Sequence, residues 1–119
     1  MKNRILNFKA AFRGFITAFK SEWNLRFHVL SAITALVLSV YLNLKLIEFL
    51  IILLCIGIVI SMELINTSIE YICDFIHPDK HHVIKKIKDI SAAAVLISSI
   101  ISLITGIVII LPKILNKLN

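Results

Sequence analysis

The sequence predicts an all-α membrane protein: an N-terminal amphipathic surface helix followed by three transmembrane helices, in one membrane-embedded domain (residues 1–119). Three observations carry this. Hydrophobic residues make up 59% of the 119-residue chain, against a usual apolar share of about 45–50%, and the mean hydropathy is +0.95. The apolar residues gather in three runs long enough to cross a bilayer. The basic residues gather between and before those runs. A soluble core of this size could not hide so much apolar surface. The net charge of +6 would suit nucleic acid in a polar chain. Here the basic residues flank apolar spans, where they face anionic lipid headgroups, so no nucleic-acid partner is expected.

Residues 2–24 form the first element. Ile5, Phe8, Phe12, Phe15, Ile16, Phe19 and Trp23 follow helical spacing and share one face. Lys2, Asn7, Arg13, Thr17, Lys20 and Ser21 lie on other faces, and Lys9 sits at the apolar edge, where it can snorkel. An aromatic face opposite a basic one is the pattern of a helix lying in the membrane interface. A secretory signal is not expected, because no continuous apolar stretch stands near the N-terminus.

The first span covers residues 27–44, about 27 Å of helix against a hydrocarbon thickness of about 30 Å. Asn43-Leu44-Lys45 is a very short connection, so the next helix returns antiparallel. That helix covers residues 46–74. Counting about 20 residues for one crossing places Glu63 at the inner edge of the hydrocarbon and carries Glu70 and Asp74 past it. Cys55 and Cys73 share this helix, about 27 Å of rise apart, so they cannot pair. A polar loop from about Phe75 to Ile87 follows, with Pro78 limiting the helix before it. The third span covers residues 90–111 and is expected to end at Pro112. Its Ser98, Ser99, Ser102, Thr105 and Gly106 suit close helix packing.

Lys and Arg number six before the first span and four in the second loop, against one in the first loop and two in the tail. That asymmetry places the N-terminus and the second loop in the cytoplasm. Glu22, Glu63, Asn66, Glu70, Asp74, Lys88 and Asp89 then collect at one membrane face. Glu48, at the far end of the second span, is read as a helix-start carboxylate without chemistry.

Within 62–74, Glu63, Asn66, Thr67, Glu70 and Asp74 fall within about a 100° arc of one helix face. Carboxylates at the end of a membrane helix need a polar partner, a metal or water. Mg²⁺ takes one or two carboxylates plus nucleotide phosphates and water, a role open to Glu22 and Glu70 if the surface helix folds back over the second span. A carboxylate at the depth of Glu63 suits a general base acting on a lipid hydroxyl, and Lys88 suits phosphate neutralisation. The bland readings stand beside these. Glu63 and Asn66 also suit structural hydrogen bonding between helices, Glu70 and Asp74 a solvated helix end, and Lys88-Asp89 a helix start capped by Asp89. His28 reads as an interface residue. His77 and His81 have metal-like spacing, but Pro78 lies between them. No phosphate-cradling loop can be built from Gly14, Gly57 and Gly106. Composition and spacing stop at a three-span membrane protein with a carboxylate site, either an enzyme or a non-catalytic assembly subunit.

The octad Glu63-Leu64-Ile65-Asn66-Thr67-Ser68-Ile69-Glu70, then Asp74, then Lys88-Asp89 followed by Ser91-Ala92-Ala93-Ala94-Val95, resembles the signature of the small prokaryotic diacylglycerol kinase family. Gly14 and Glu22-Trp23-Asn24-Leu25-Arg26-Phe27-His28 resemble the family's segment before its first span. The resemblance runs from about Phe8 to Pro112. It implies an integral-membrane lipid kinase of the bacterial plasma membrane, a homotrimer with composite sites between subunits, transferring phosphate from ATP with Mg²⁺ to a lipid hydroxyl at the cytoplasmic face. It implies Glu63 as catalytic base and Glu22 and Glu70 as metal ligands. It implies Asn66, Lys88 and Asp89 as nucleotide-site residues, with Asp79, Lys80 and His81 in a loop that contacts ATP. Of the family's two branches, one uses diacylglycerol and one, in Gram-positive bacteria, undecaprenol. His28, where the diacylglycerol branch tends to carry a carboxylate, resembles the undecaprenol branch, as do the His77–His82 loop and Leu111-Pro112-Lys113.

Overall fold

The computed structural model describes residues 3–119, with side chains from residue 7 onward. Four helices account for nearly all of the described residues: α1 (Asn3–Ser21), α2 (Trp23–Tyr41), α3 (Leu46–Ile76) and α4 (His82–Leu118). Lys2 lies outside the described residues, as do the side chains of Arg4 and Ile5. The last three helices are long and apolar enough to cross a membrane. The chain is all-α, with three membrane-spanning helices after an N-terminal one.

The first correction is where the surface helix stops. The expected element reached residue 24, whereas α1 ends at Ser21 and Trp23 already belongs to α2. Glu22 is the break, extended at φ −116° and ψ 114°. Arg26 explains why the break is sharp. Its guanidinium donates to the carbonyls of Phe19 at 2.8 Å and Lys20 at 2.9 Å, two of the acceptors that a helix C-terminus leaves unpaired. Tyr71 donates to Ser21 at 3.1 Å, fixing the same end of α1 to α3. Arg26→Gln should cost about 1–3 kcal/mol of local stability, as expected for charge-assisted hydrogen bonds. It should appear as faster amide exchange confined to the end of α1.

Among the described side chains of α1, those of its last turns pack on the bundle: Ala18 is buried, while Phe8 and Phe12 are 80% and 68% exposed. Those two rings, beside Lys9 and Arg13, keep the aromatic-basic character expected of an interfacial helix.

The α2–α3 connection closes as a Schellman motif. Leu44 N–H donates to Ser39 O, Asn43 N–H donates to Val40 O, and Asn43 takes the left-handed conformation at φ 54°. Asn tolerates that region better than most residues. The backbone N–H of Lys45 then donates to the Glu48 side chain at 3.0 Å, capping α3.

Two further expectations need correcting. The polar loop shrinks to residues 77–81, because His82 already starts α4. Asp89 therefore stands inside the helix, and the cap is His81, whose Nδ1 accepts from Val83 N–H at 3.1 Å. Nor does Pro112 end the last helix, which continues to Leu118. Proline removes one backbone donor, a loss that membrane helices tolerate when neighbours hold the chain. Here Lys113 lies 3.5 Å from Glu48 and Lys117 stacks 4.1 Å over the Tyr41 ring. Both ties hold the last turns of α4 against the C-terminal end of α2 and the N-terminal end of α3, and they give Glu48 a pairing role that the sequence did not suggest.

α3 packs along α4 and, less extensively, along α2, whereas α2 scarcely meets α4. The wedge between them is an apolar groove of about 700 Å³. Hydroxyls inside the spans are mostly satisfied by carbonyls of their own helix, as with Ser39 to Ala35 O at 2.7 Å. Ser102 reaches across to Cys55 O at 3.5 Å. Gly106, expected at a tight helix contact, instead faces open space.

Candidate active site

Three of the five buried polar residues among those described lie together on one face of α3. Glu63 is 2% exposed, Thr67 3% and Asn66 9%. In an apolar helix this inverts the usual rule that charged groups stay outside, and it matches the face expected from the sequence. Thr67 donates to the Glu63 carbonyl at 2.9 Å and so leaves the Glu63 carboxylate free. Asn66 Oδ1 is buried without a hydrogen-bond partner among the described residues. An orphan acceptor of this kind calls for a donor from a bound molecule or a neighbouring chain.

Glu22 arrives from the α1–α2 break. It is the N-cap of α2 by position, yet its side chain makes no capping bond. Its carboxyl group instead lies near that of Glu70 and acts coulombically on both Glu70 and Glu63. The expected folding-back of the surface element over α3 is thus present. Two carboxyl groups at such a distance repel unless a cation lies between them. No cluster of three or more His, Cys, Asp or Glu side chains is close enough to cage a metal among the described residues. The Glu22–Glu70 pair nevertheless suits Mg²⁺, which takes one or two carboxylates and completes its shell with phosphate and water.

His28 was expected to be an interface residue only. It lies with Nε2 3.4 Å from Glu63 Oε1, and it lines the end of the apolar groove. Lys88 is held by Asp74 at 2.6 Å, so the cation expected to meet phosphate already has a carboxylate partner. Asp89 is exposed and paired with Lys85, one turn earlier in α4, at 2.7 Å.

Asp79, Lys80 and His81 are not brought to the carboxylates. Their loop follows His77, about 21 Å of helix rise beyond Glu63. There the His81 ring packs against those of His77 and His82, with centroids 5.1 and 4.7 Å away. Within one chain the expected site thus divides into a compact cluster (Glu22, Glu63, Asn66, Glu70), a flanking pair (Asp74, Lys88) and a distal loop. Sequence reasoning missed Tyr71 and Ser21, which lock α1 over α3, and it missed the contact of His28 with Glu63. A tyrosine on the polar side of an apolar helix was the available signal for the first.

Comparison with known proteins identifies the family of the chain. The family model for prokaryotic diacylglycerol kinase matches residues 9–110. An undecaprenol kinase of Bacillus subtilis is 42% identical over 108 residues, covering 90% of this chain and 87% of that protein. A diacylglycerol kinase of Synechocystis sp. is 30% identical over 115 residues, covering 96% of this chain and 66% of that protein. The non-catalytic alternative left open by composition is thereby set aside. A multi-pass chain that carries paired carboxylates at the end of an apolar helix, and matches the family along most of its length, belongs to the prokaryotic diacylglycerol kinase family of membrane lipid kinases.

Proposed function

We propose that this lipid kinase phosphorylates undecaprenol, taking the γ-phosphate of ATP at the cytoplasmic face of the bacterial plasma membrane. The observation that carries the reading is the convergence of Glu22, Glu63 and Glu70 beside an apolar groove. Glu63 stands at lipid depth, Glu70 two turns along the same face of α3 toward its aqueous end, and Glu22 joins them from the α1–α2 break.

In this reading Glu63 takes the proton of the lipid hydroxyl. The hydroxyl oxygen forms a bond to the γ-phosphorus, the bond from that phosphorus to the β,γ-bridging oxygen breaks, and ADP leaves. Glu22 and Glu70 hold Mg²⁺, which when bound offsets the charge of the phosphates. Asn66 offers its unpartnered Oδ1 to the nucleotide side of the site. Lys88 exchanges its Asp74 partner for phosphate oxygens, with Asp89 supporting the same helix turn. Asp79, Lys80 and His81 contact ATP from the loop. The distance of that loop from Glu63 within one chain supports a composite site in a homotrimer. So does the small share of each span that one chain buries.

What supports undecaprenol over diacylglycerol is the relative at 42% identity, an undecaprenol kinase; the groove lining suits the long apolar tails of either lipid. The relative at 30% identity, a diacylglycerol kinase, favours the second acceptor. The test is transfer from labelled ATP by purified protein in mixed micelles, with each lipid offered alone and in competition, in Mg²⁺ or in chelator. Metal-dependent preference for undecaprenol is expected. Preference for diacylglycerol would keep the catalytic groups and overturn the acceptor.

A further inference from the structure

The geometry points to His28 as a positioning residue that orients the Glu63 carboxylate for proton abstraction, an inference that rests on the reading of Glu63 as the base. Glu63 is almost fully buried, so its orientation depends on the few polar groups around it. Among the described residues, His28 is the only basic side chain in contact with the carboxylate, Nε2 to Oε1 at 3.4 Å. The Thr67 hydroxyl is spent on the Glu63 backbone carbonyl, Asn66 Oδ1 is an unpartnered acceptor, and the Asn66 amide donors make no hydrogen bond to the carboxylate. Glu22 repels the carboxylate rather than fixing it.

The histidine is itself well placed to act as a rigid arm. It stands in the second turn of α2, with Phe27 edge-on at 5.7 Å, and Phe27 in turn stacks on Trp23 at 5.6 Å. Leu25, fully buried, anchors the preceding turn of α2 in the bundle. A neutral imidazole with its proton on Nε2 donates to Oε1 and leaves Oε2 as the acceptor for the lipid hydroxyl. The separation of 3.4 Å is long for a hydrogen bond, as is common for catalytic contacts before substrate tightens the site. Because His28 also lines the groove, its imidazole links the Glu63 carboxylate to the space that a hydroxyl carried by an apolar tail would enter.

The experiment compares His28→Gln, His28→Phe, Glu63→Gln and the double variant His28→Phe/Glu63→Gln in the micelle assay, with thermal stability and oligomeric size measured on each. Glutamine can place an amide donor near the position of Nε2; phenylalanine keeps the ring volume and removes the donor. His28→Phe is expected to lower kcat about 10–100-fold, the scale of a misaligned catalytic group, with KM for ATP unchanged and the folded oligomer intact. His28→Gln should recover a large part of that loss. In the Glu63→Gln background, the phenylalanine change should add little further loss, since the two residues act as a unit. Equal activity of His28→Phe and the unaltered protein, or equal loss in the Gln and Phe variants, would overturn the positioning role while leaving Glu63 as base. Full activity of Glu63→Gln would overturn the base itself, and the role of His28 with it.

Discussion

Glu63→Gln is expected to lower phosphate transfer by about 10²–10⁴-fold, the usual contribution of a positioned general base, with the protein still folded and assembled. Glutamine keeps the length and most of the volume of glutamate, so the tight packing around Glu63 is preserved. It cannot accept the hydroxyl proton. A purely structural Glu63 makes the opposite prediction. Removing a nearly fully buried carboxylate relieves a desolvation cost, so the variant would be at least as stable and fully active. Turnover measured beside thermal stability separates the two: loss of turnover in a stable protein supports the base, and retained turnover rejects it.

The second large effect concerns the metal. Glu70→Gln should raise the Mg²⁺ concentration needed for half-maximal transfer by at least about tenfold. The same variant should melt at a higher temperature than the unaltered protein when no metal is present, because it removes the repulsion between Glu22 and Glu70. Mg²⁺ with a non-hydrolysable ATP analogue should stabilise the unaltered protein by mass action and should lose that effect in the variant. Two opposite shifts from one substitution are hard to obtain from a merely solvated helix end. If metal still stabilises Glu70→Gln to the same extent, the assignment of Glu70 as a ligand fails.

The spans and the polar face of α3 were legible because they rest on periodicity, which survives without tertiary information. Glu63, Asn66 and Thr67 lie seven residues or fewer from Glu70, so helical geometry alone puts them on one face. The helix ends were less legible. Pro112 looks like a terminus in isolation, but Lys113 reaches Glu48 and Lys117 reaches Tyr41, contacts between residues far apart in sequence. Asp89 looks like an N-cap until His81 takes that position eight residues earlier. The break at Glu22 depends on Arg26 reaching back to two carbonyls, which no propensity encodes. The contact between His28 and Glu63 joins two helices, and only their packing reveals it.

The compact turn between α2 and α3 also bears on how the chain enters the bilayer. With the N-terminus cytoplasmic, as proposed, the two helices can insert as one hairpin. The groups they must then translocate are mainly Asn43, Lys45 and Glu48. The Schellman bonds already satisfy the turn's backbone, and the Lys45 N–H satisfies one oxygen of Glu48. The lysine and the charge of Glu48 are the main remaining barriers, each about 3 kcal/mol at the bilayer centre on insertion scales. The two strongly apolar arms readily offset that cost, so biogenesis of the hairpin need not wait for α4.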